Sequence, residues 1–242
     1  MEGFFGRDWN GAAFELFGMY HLIALGLIFL ANIVLVAVGR RTSERGRKLI
    51  RWGLAAILLI DELFWHLWNI RTGFWSLQTT LPFHLCSVFV FLSAYMLVKK
   101  SYSVYEFAYF LGIAGATQAL LTPDAGKYGF PHFRSFQVML SHGTIVTAAV
   151  YMTLVEGFRP TWQSLRRVLI GGNVYMVFIF VLNLAIGSNY LFIAHKPETA
   201  SLMDVLPGWP VYILFLELIA VVVSLLLYLP FQISDWRKKK VA

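Results

Sequence analysis

The chain predicts an all-α membrane protein with seven transmembrane helices, its N-terminus outside and its C-terminus in the cytoplasm. Three observations carry that reading. Hydrophobic residues make up 58% of the 242 and charged residues only 14%, against roughly a quarter charged in a soluble domain. Apolar runs recur along the chain at about twice the ten-residue length of a barrel strand. Basic residues collect in alternate connections between those runs. One transmembrane domain, residues 1–242, accounts for the whole sequence.

The apolar runs are roughly Phe14–Val38, Leu49–Ile70, Leu81–Val98, Val104–Leu121, Phe136–Val155, Val168–Gly187 and Trp209–Leu229. Each is near the 17–25 residues that cross about 30 Å of hydrocarbon as a helix. The third and fourth are short. The first is too long for the core of a cleavable signal peptide. Gly112, Gly115 and Ala116 on the fourth suit close helix packing.

Orientation follows from the basic residues. Arg40, Arg41, Arg45, Arg47, Lys48 and Arg51 fall at one end of the predicted bundle, with Lys99, Lys100, Arg159, Arg166, Arg167 and the run Arg237–Lys240. Fifteen of the 20 Lys and Arg thus lie on one side, which the positive-inside rule assigns to the cytoplasm. The net charge of +7 is therefore a topology signal and gives no motive for binding nucleic acid. A multi-pass protein of the cell membrane is expected, with membrane lipid as its partner. Cys86 is the sole cysteine and excludes an internal disulfide.

Polar groups inside the runs point to a site. Asp61 and Glu62 stand among aliphatic and tryptophan side chains, with His66 one turn further on. Glu62, His66 and Asn69 are spaced i, i+4, i+7 and share a helix face. Asp61, about 100° away, shares a face with Trp65 and Trp68. His84, Gln118, Ser141, His142, Asn183 and Glu217 fall in the outer half of other spans, and Asn189 and Tyr190 follow the sixth. An uncompensated charge at the bilayer centre costs about 2.5–3.5 kcal/mol on insertion scales, so one shared polar cavity open to the outer leaflet is the economical arrangement. Adjacent carboxylates cannot both ionise cheaply there, so one is expected to be protonated or paired, with Arg134 at the mouth as a partner.

Leu81-Pro82-Phe83-His84-Leu85-Cys86-Ser87, Leu121-Thr122-Pro123-Asp124 and Ser141-His142-Gly143 occur in that order. Asn189-Tyr190, Lys196-Pro197, Ser201-Leu202-Met203-Asp204 and Gly208-Trp209-Pro210-Val211-Tyr212-Ile213 follow them. The ordered set resembles the YwaF-type family of bacterial integral membrane proteins over nearly the whole chain. That resemblance implies a distant relation to animal phospholipid acyltransferases working through a cysteine acyl-enzyme. The relatives' Pro-Cys-His pattern places Phe83 where their cysteine stands and keeps their histidine as His84.

Two functions compete. The first is an enzyme acting on a lipid ester by acyl transfer or hydrolysis. It would use His84 or His142 as base and Glu62 or Asp61 to orient the imidazole, with His66 nearby. Cys86 is its candidate nucleophile, and Ser87 and Ser141 are alternatives. Gln118, Asn183, Asn189, Tyr190 and Arg134 would bind substrate. The second is a transporter or receptor for a small solute or cation, using the buried carboxylates and histidines. A zinc site from His66, His84 and His142 is the weaker third reading, because none forms an i, i+4 pair. No metal or other cofactor is therefore expected.

Overall fold

The computed structural model describes residues 3–196 and 202–241. Pro197 and Ser201, part of the resemblance above, lie outside the described residues, as does the middle of the long connection beyond Ser188. Seven helices form and no strand occurs among the described residues: α1 Met19–Arg41, α2 Glu44–Thr72, α3 Leu85–Lys99, α4 Tyr102–Leu121, α5 Phe133–Leu154, α6 Trp162–Ile186 and α7 Val211–Val241. Five of them (α1, α2, α4, α6 and α7) are long and apolar enough to cross a membrane.

Local chemistry sets the ends. Ser43 caps α2 by accepting from the Gly46 N–H, and Gly73 closes it in the left-handed conformation that glycine adopts without a Cβ clash. Thr161 and Ser164 form a reciprocal capping box that starts α6 before its apolar run. The predicted third span begins at Leu81, but α3 starts only at Leu85. Pro82 disfavours helical backbone at the residue before it, and His84 is extended. The fifteen residues of α3 cover about 22 Å. At the other end of the chain α7 continues through Pro230 for 31 residues, beyond the predicted Leu229. Its late turns are braced where Arg159 pairs with Asp235 at 2.6 Å and donates to the Phe231 carbonyl.

The centre of the bundle is α5. It carries Arg134, Gln137, Ser141, His142, Thr144 and Thr147, yet most of its residues are buried. It packs against α1, α2, α3 and α4, and α6 and α7 lean on the outside of α4. Inside a membrane, helices are held by close van der Waals fit rather than by water exclusion. Small residues supply that fit. Gly112 faces the Phe89 ring and Gly115 faces Leu85, so the predicted small-residue face of α4 is its seat on α3. Five residues of α4, Ala108–Gly112, form a π turn that aims the Tyr109 hydroxyl at the Leu227 carbonyl of α7, 2.9 Å away.

Along α2 the bundle has three layers. At the basic end Arg51 is buried with Glu156 and donates to the Leu97 carbonyl at 3.2 Å, and Lys100 joins Glu156. A dry layer of Leu54, Leu58, Phe89, Val90, Leu97, Ile145 and Met152 follows. Beyond it stand Asp61 and Glu62.

On α1, Gly39 lies against Tyr151. A Cβ there would meet the Tyr151 ring at 2.8 Å and Val155 at 2.9 Å, whereas one on Gly53 would meet nothing. Gly39→Ala is expected to destabilise by about 1–3 kcal/mol and Gly53→Ala to leave stability unchanged or raised, as read from melting temperatures in detergent.

Candidate functional site

At the end of the bundle away from the basic cluster, α2 and α5 meet through polar groups. The Gln137 side-chain amide donates to Asp61 Oδ2 at 2.9 Å, and the Ser141 hydroxyl lies close to the same carboxylate. Arg134 donates to the Gln137 carbonyl oxygen and, through Nη2, to the Asp124 backbone carbonyl at 2.9 Å. Its guanidinium lies 4.1 Å from the Trp65 ring centroid, and Trp65 stacks on Trp68. Arg134, expected as a partner at the mouth, makes no direct bond to Asp61 among the described residues, and Gln137 lies between them. Residues 134, 137 and 141 recur at i, i+3, i+7, the spacing of one helix face. That pattern was readable in the sequence, and Gln137 is the member that the reading of the sequence passed over.

Glu62 is buried, and His66 on the same helix face is partly exposed. The Trp75 indole donates to His66 Nδ1 at 3.2 Å. An indole only donates, so the neutral ring carries its proton on Nε2, which faces Glu62 Oε1 at 3.4 Å. That approach falls short of a hydrogen bond, and Glu62 Oε1 is a buried acceptor with no hydrogen-bond partner among the described residues. Asn69, the third member of the predicted face, donates to the Trp65 carbonyl of its own helix at 2.8 Å.

The other histidines do not join this pair. His142 Nδ1 bonds the Val138 carbonyl one turn back at 2.6 Å, which holds the ring along α5. His84 stands at the start of α3, its ring 5.1 Å from Tyr190 and 4.9 Å from Phe192. Its imidazole has no hydrogen bond among the described residues, and burial, which outweighs the opposing influence of the Asp124 carboxylate, lowers its pKa to about 4. Among the described residues no three His, Cys, Asp or Glu side chains gather as a metal ion would require. Cys86 packs toward α4, its sulfur near Gly115.

The remaining predicted residues serve local structure. Gln118 is exposed and bonds Thr122 at 2.8 Å. Asn183 accepts from Ser188 and from the Tyr190 N–H. Asn189 accepts from the Ala194 and His195 N–H groups. The buried Tyr190 hydroxyl accepts from the Leu81 N–H at 2.9 Å and donates to the Leu77 carbonyl at 2.7 Å, which latches the approach to α3. On the outer half of α7, Glu217 accepts from Asn173 of α6 at 3.0 Å, apart from the other acids.

Above the polar groups lies a cover that sequence reasoning missed. Residues 3–18 form no long helix but cross the mouth. Phe4 O accepts from the Phe133 N–H, Ala12 O from the Gly129 N–H, and the Trp68 indole donates to Phe5 O. Arg7 donates to the Thr72 carbonyl at 3.1 Å. His132 ties this strap down: its Nδ1 accepts from the Arg134 N–H, so its Nε2 must be the donor to the Gly6 carbonyl at 2.9 Å. Burial is the largest influence on this loop histidine and holds its pKa below 6.5.

Two outcomes follow. Gln137→Leu strips the buried Asp61 carboxylate of its amide donor, leaves it only Ser141, and is expected to cost about 2–3 kcal/mol, while Asp61→Asn, which still accepts a hydrogen bond, costs about 1 kcal/mol. Unfolding in detergent gives both values, and equal losses would refute the tie. Because the His132 pKa is depressed in the folded chain, its contribution is complete above pH 6.5 and is lost as pH falls through the folded value. Exchange protection of residues 3–13, taken relative to the intrinsic rate at each pH, should therefore fall below pH 6.5 in the wild type and stay flat in His132→Phe.

No curated protein and no solved structure matches this sequence. A family model does match, over residues 16–228, which takes in everything from the approach to α1 to the middle of α7. The chain therefore belongs to the TMEM164 family, a family of transmembrane proteins.

Proposed function

We propose that this protein is a membrane-embedded enzyme that transfers or hydrolyses the acyl group of a lipid ester at the outer leaflet. The observation that carries the proposal is His84: an imidazole without a hydrogen-bond partner among the described residues, set between Tyr190 and Phe192 and influenced by the Asp124 carboxylate. His84 accepts the proton of an attacking hydroxyl, from water or a lysolipid, as that oxygen adds to the ester carbonyl. The imidazolium, steadied by Asp124, then returns the proton to the departing lysolipid oxygen. Arg134 supplies positive charge for a phosphate or the developing oxyanion. The aromatic surroundings of His84 suit an acyl chain. The resemblance to a family with acyltransferase relatives supports the same chemistry, with His84 as the residue held in common. A water or lysolipid nucleophile also accommodates a Cys86 that faces α4.

The same proposal has all seven helices crossing the cell membrane, with α3 and α5 sheltered inside the ring of apolar spans and the basic end in the cytoplasm. One observation favours a second reading: a buried Glu62 Oε1 with no hydrogen-bond partner among the described residues is what a proton or cation carrier would present. Against it, the layer from Leu54 to Met152 that separates Glu62 from the basic end is lined mainly by apolar side chains, with Ser93 as a buried polar group within it.

Purified protein in liposomes containing a phospholipid and a lysophospholipid, followed by lipid mass spectrometry, should exchange or release acyl chains. His84→Ala should slow this by about 10²–10⁴-fold, and Cys86→Ser should retain it. An acyl profile identical with and without the protein would sink the enzyme reading. Proton or solute uptake abolished by Glu62→Gln would replace it with the second.

A further inference from the structure

Helix α1 is buried at two points only, His21 and Gly39. His21 bonds the Leu120 carbonyl of α4 at 2.8 Å, and Gly39 sits against Tyr151 of α5. Between these pins α1 touches α5 where Ile28 meets Gly143 and Asn32 donates to Thr147 at 3.0 Å, and beside those contacts it leaves a groove of about 630 Å³. Leu25, Ile33, Ala37, Leu120 and Val150 line it, and Arg40 closes its basic end. From Leu25 to Arg40 it runs about 22 Å along α1. The Arg40 guanidinium is positioned there by the bond from Nε to the Leu154 carbonyl at 3.0 Å. Arg40 is exposed, and among the described residues its two terminal nitrogens have no hydrogen-bond partner, which leaves them available as donors.

We propose that this groove holds an anionic phospholipid, with one acyl chain between α1, α4 and α5 and its phosphate on Arg40. The occupant follows from the lining. An aliphatic channel on the outside of a membrane bundle takes a hydrocarbon chain, and a guanidinium at one end takes an acid oxygen bidentately. The charge of Arg40 at the groove's end favours an anionic headgroup over a zwitterionic one. The site is separate from the His84 cluster: it lies on the opposite side of α5 from α2 and reaches the basic end. It stands or falls independently of the enzymatic reading.

The test uses the full chain purified in detergent and offered equal amounts of phosphatidylglycerol and phosphatidylcholine with identical acyl chains, with bound lipid counted by native mass spectrometry. Wild type should retain phosphatidylglycerol about fivefold more than phosphatidylcholine. Arg40→Gln should bring that ratio to about one while lipid is still bound, and Arg41→Gln should leave it unchanged. Ala37→Phe, which fills the groove, should reduce retention of both lipids. Equal retention of the two lipids by wild type would overturn the proposal. So would an unchanged ratio in Arg40→Gln, an equal loss in Arg41→Gln, or a dimer without lipid that Ala37→Phe dissociates.

Discussion

The bond from Gln137 to Asp61 is the constraint around which the bundle is arranged. It joins the most polar helix, α5, to the carboxylate-bearing stretch of α2, in a chain whose other helices offer little but aliphatic surface. A carboxylate in hydrocarbon costs several kcal/mol unless donors surround it. Supplying those donors requires the 134–137–141 face of α5 to turn toward α2. That rotation carries the small residues of α5 toward α1, so that Gly143 accepts Ile28. It also places Arg134 over Trp65, beneath the connection that holds Asp124. One satisfied charge thereby sets how α5 faces its neighbours.

The two ends of the molecule handle charge differently. At the basic end Arg51, Glu156 and Lys100 neutralise one another, and Glu106 is matched by Arg167 and Ser164. Both networks span helices, and their acids are paired. At the other end Glu62 Oε1 and the His84 imidazole make no hydrogen bond among the described residues, with His66 Nε2 standing 3.4 Å from Glu62 Oε1. Buried polar groups in folded proteins are nearly always satisfied, and Glu62 Oε1 shares its exception with Asn32, Ser93, Tyr151 and Ser224, which lie elsewhere in the bundle. The strap of residues 3–18 then decides access, since Trp68, His132 and Gly129 hold it across the mouth.

Several features of this site were legible in the chain and others were not. Burial of Asp61 and Glu62 follows from their place in an apolar run, and the face shared by Asp61, Trp65 and Trp68 follows from helical spacing. The expected meeting of His66 with His84 or His142 did not occur. His142 found its acceptor one turn back in its own helix, and the late start of α3 after Pro82 moved His84 toward Tyr190. Cover by residues 3–18 left no periodic signal, because it depends on backbone carbonyls meeting donors far along the chain. Gln137 was readable from its spacing, yet a lone glutamine on a helix does not announce which carboxylate it will meet.

By itself the sequence determined the all-helical membrane class, the number of helices and the burial of the two carboxylates. Hydropathy, helical period and capping are local properties that each segment carries with it. Only the tertiary structure decided which polar groups are satisfied: Asp61 by Gln137, His142 by its own helix, and Glu62 Oε1 and the His84 imidazole by none of the described residues. Partnership between helices depends on their rotation and on where each begins. A single residue turns a side chain by about 100°, so an uncertainty of one or two residues that leaves the fold class untouched is enough to redraw the site.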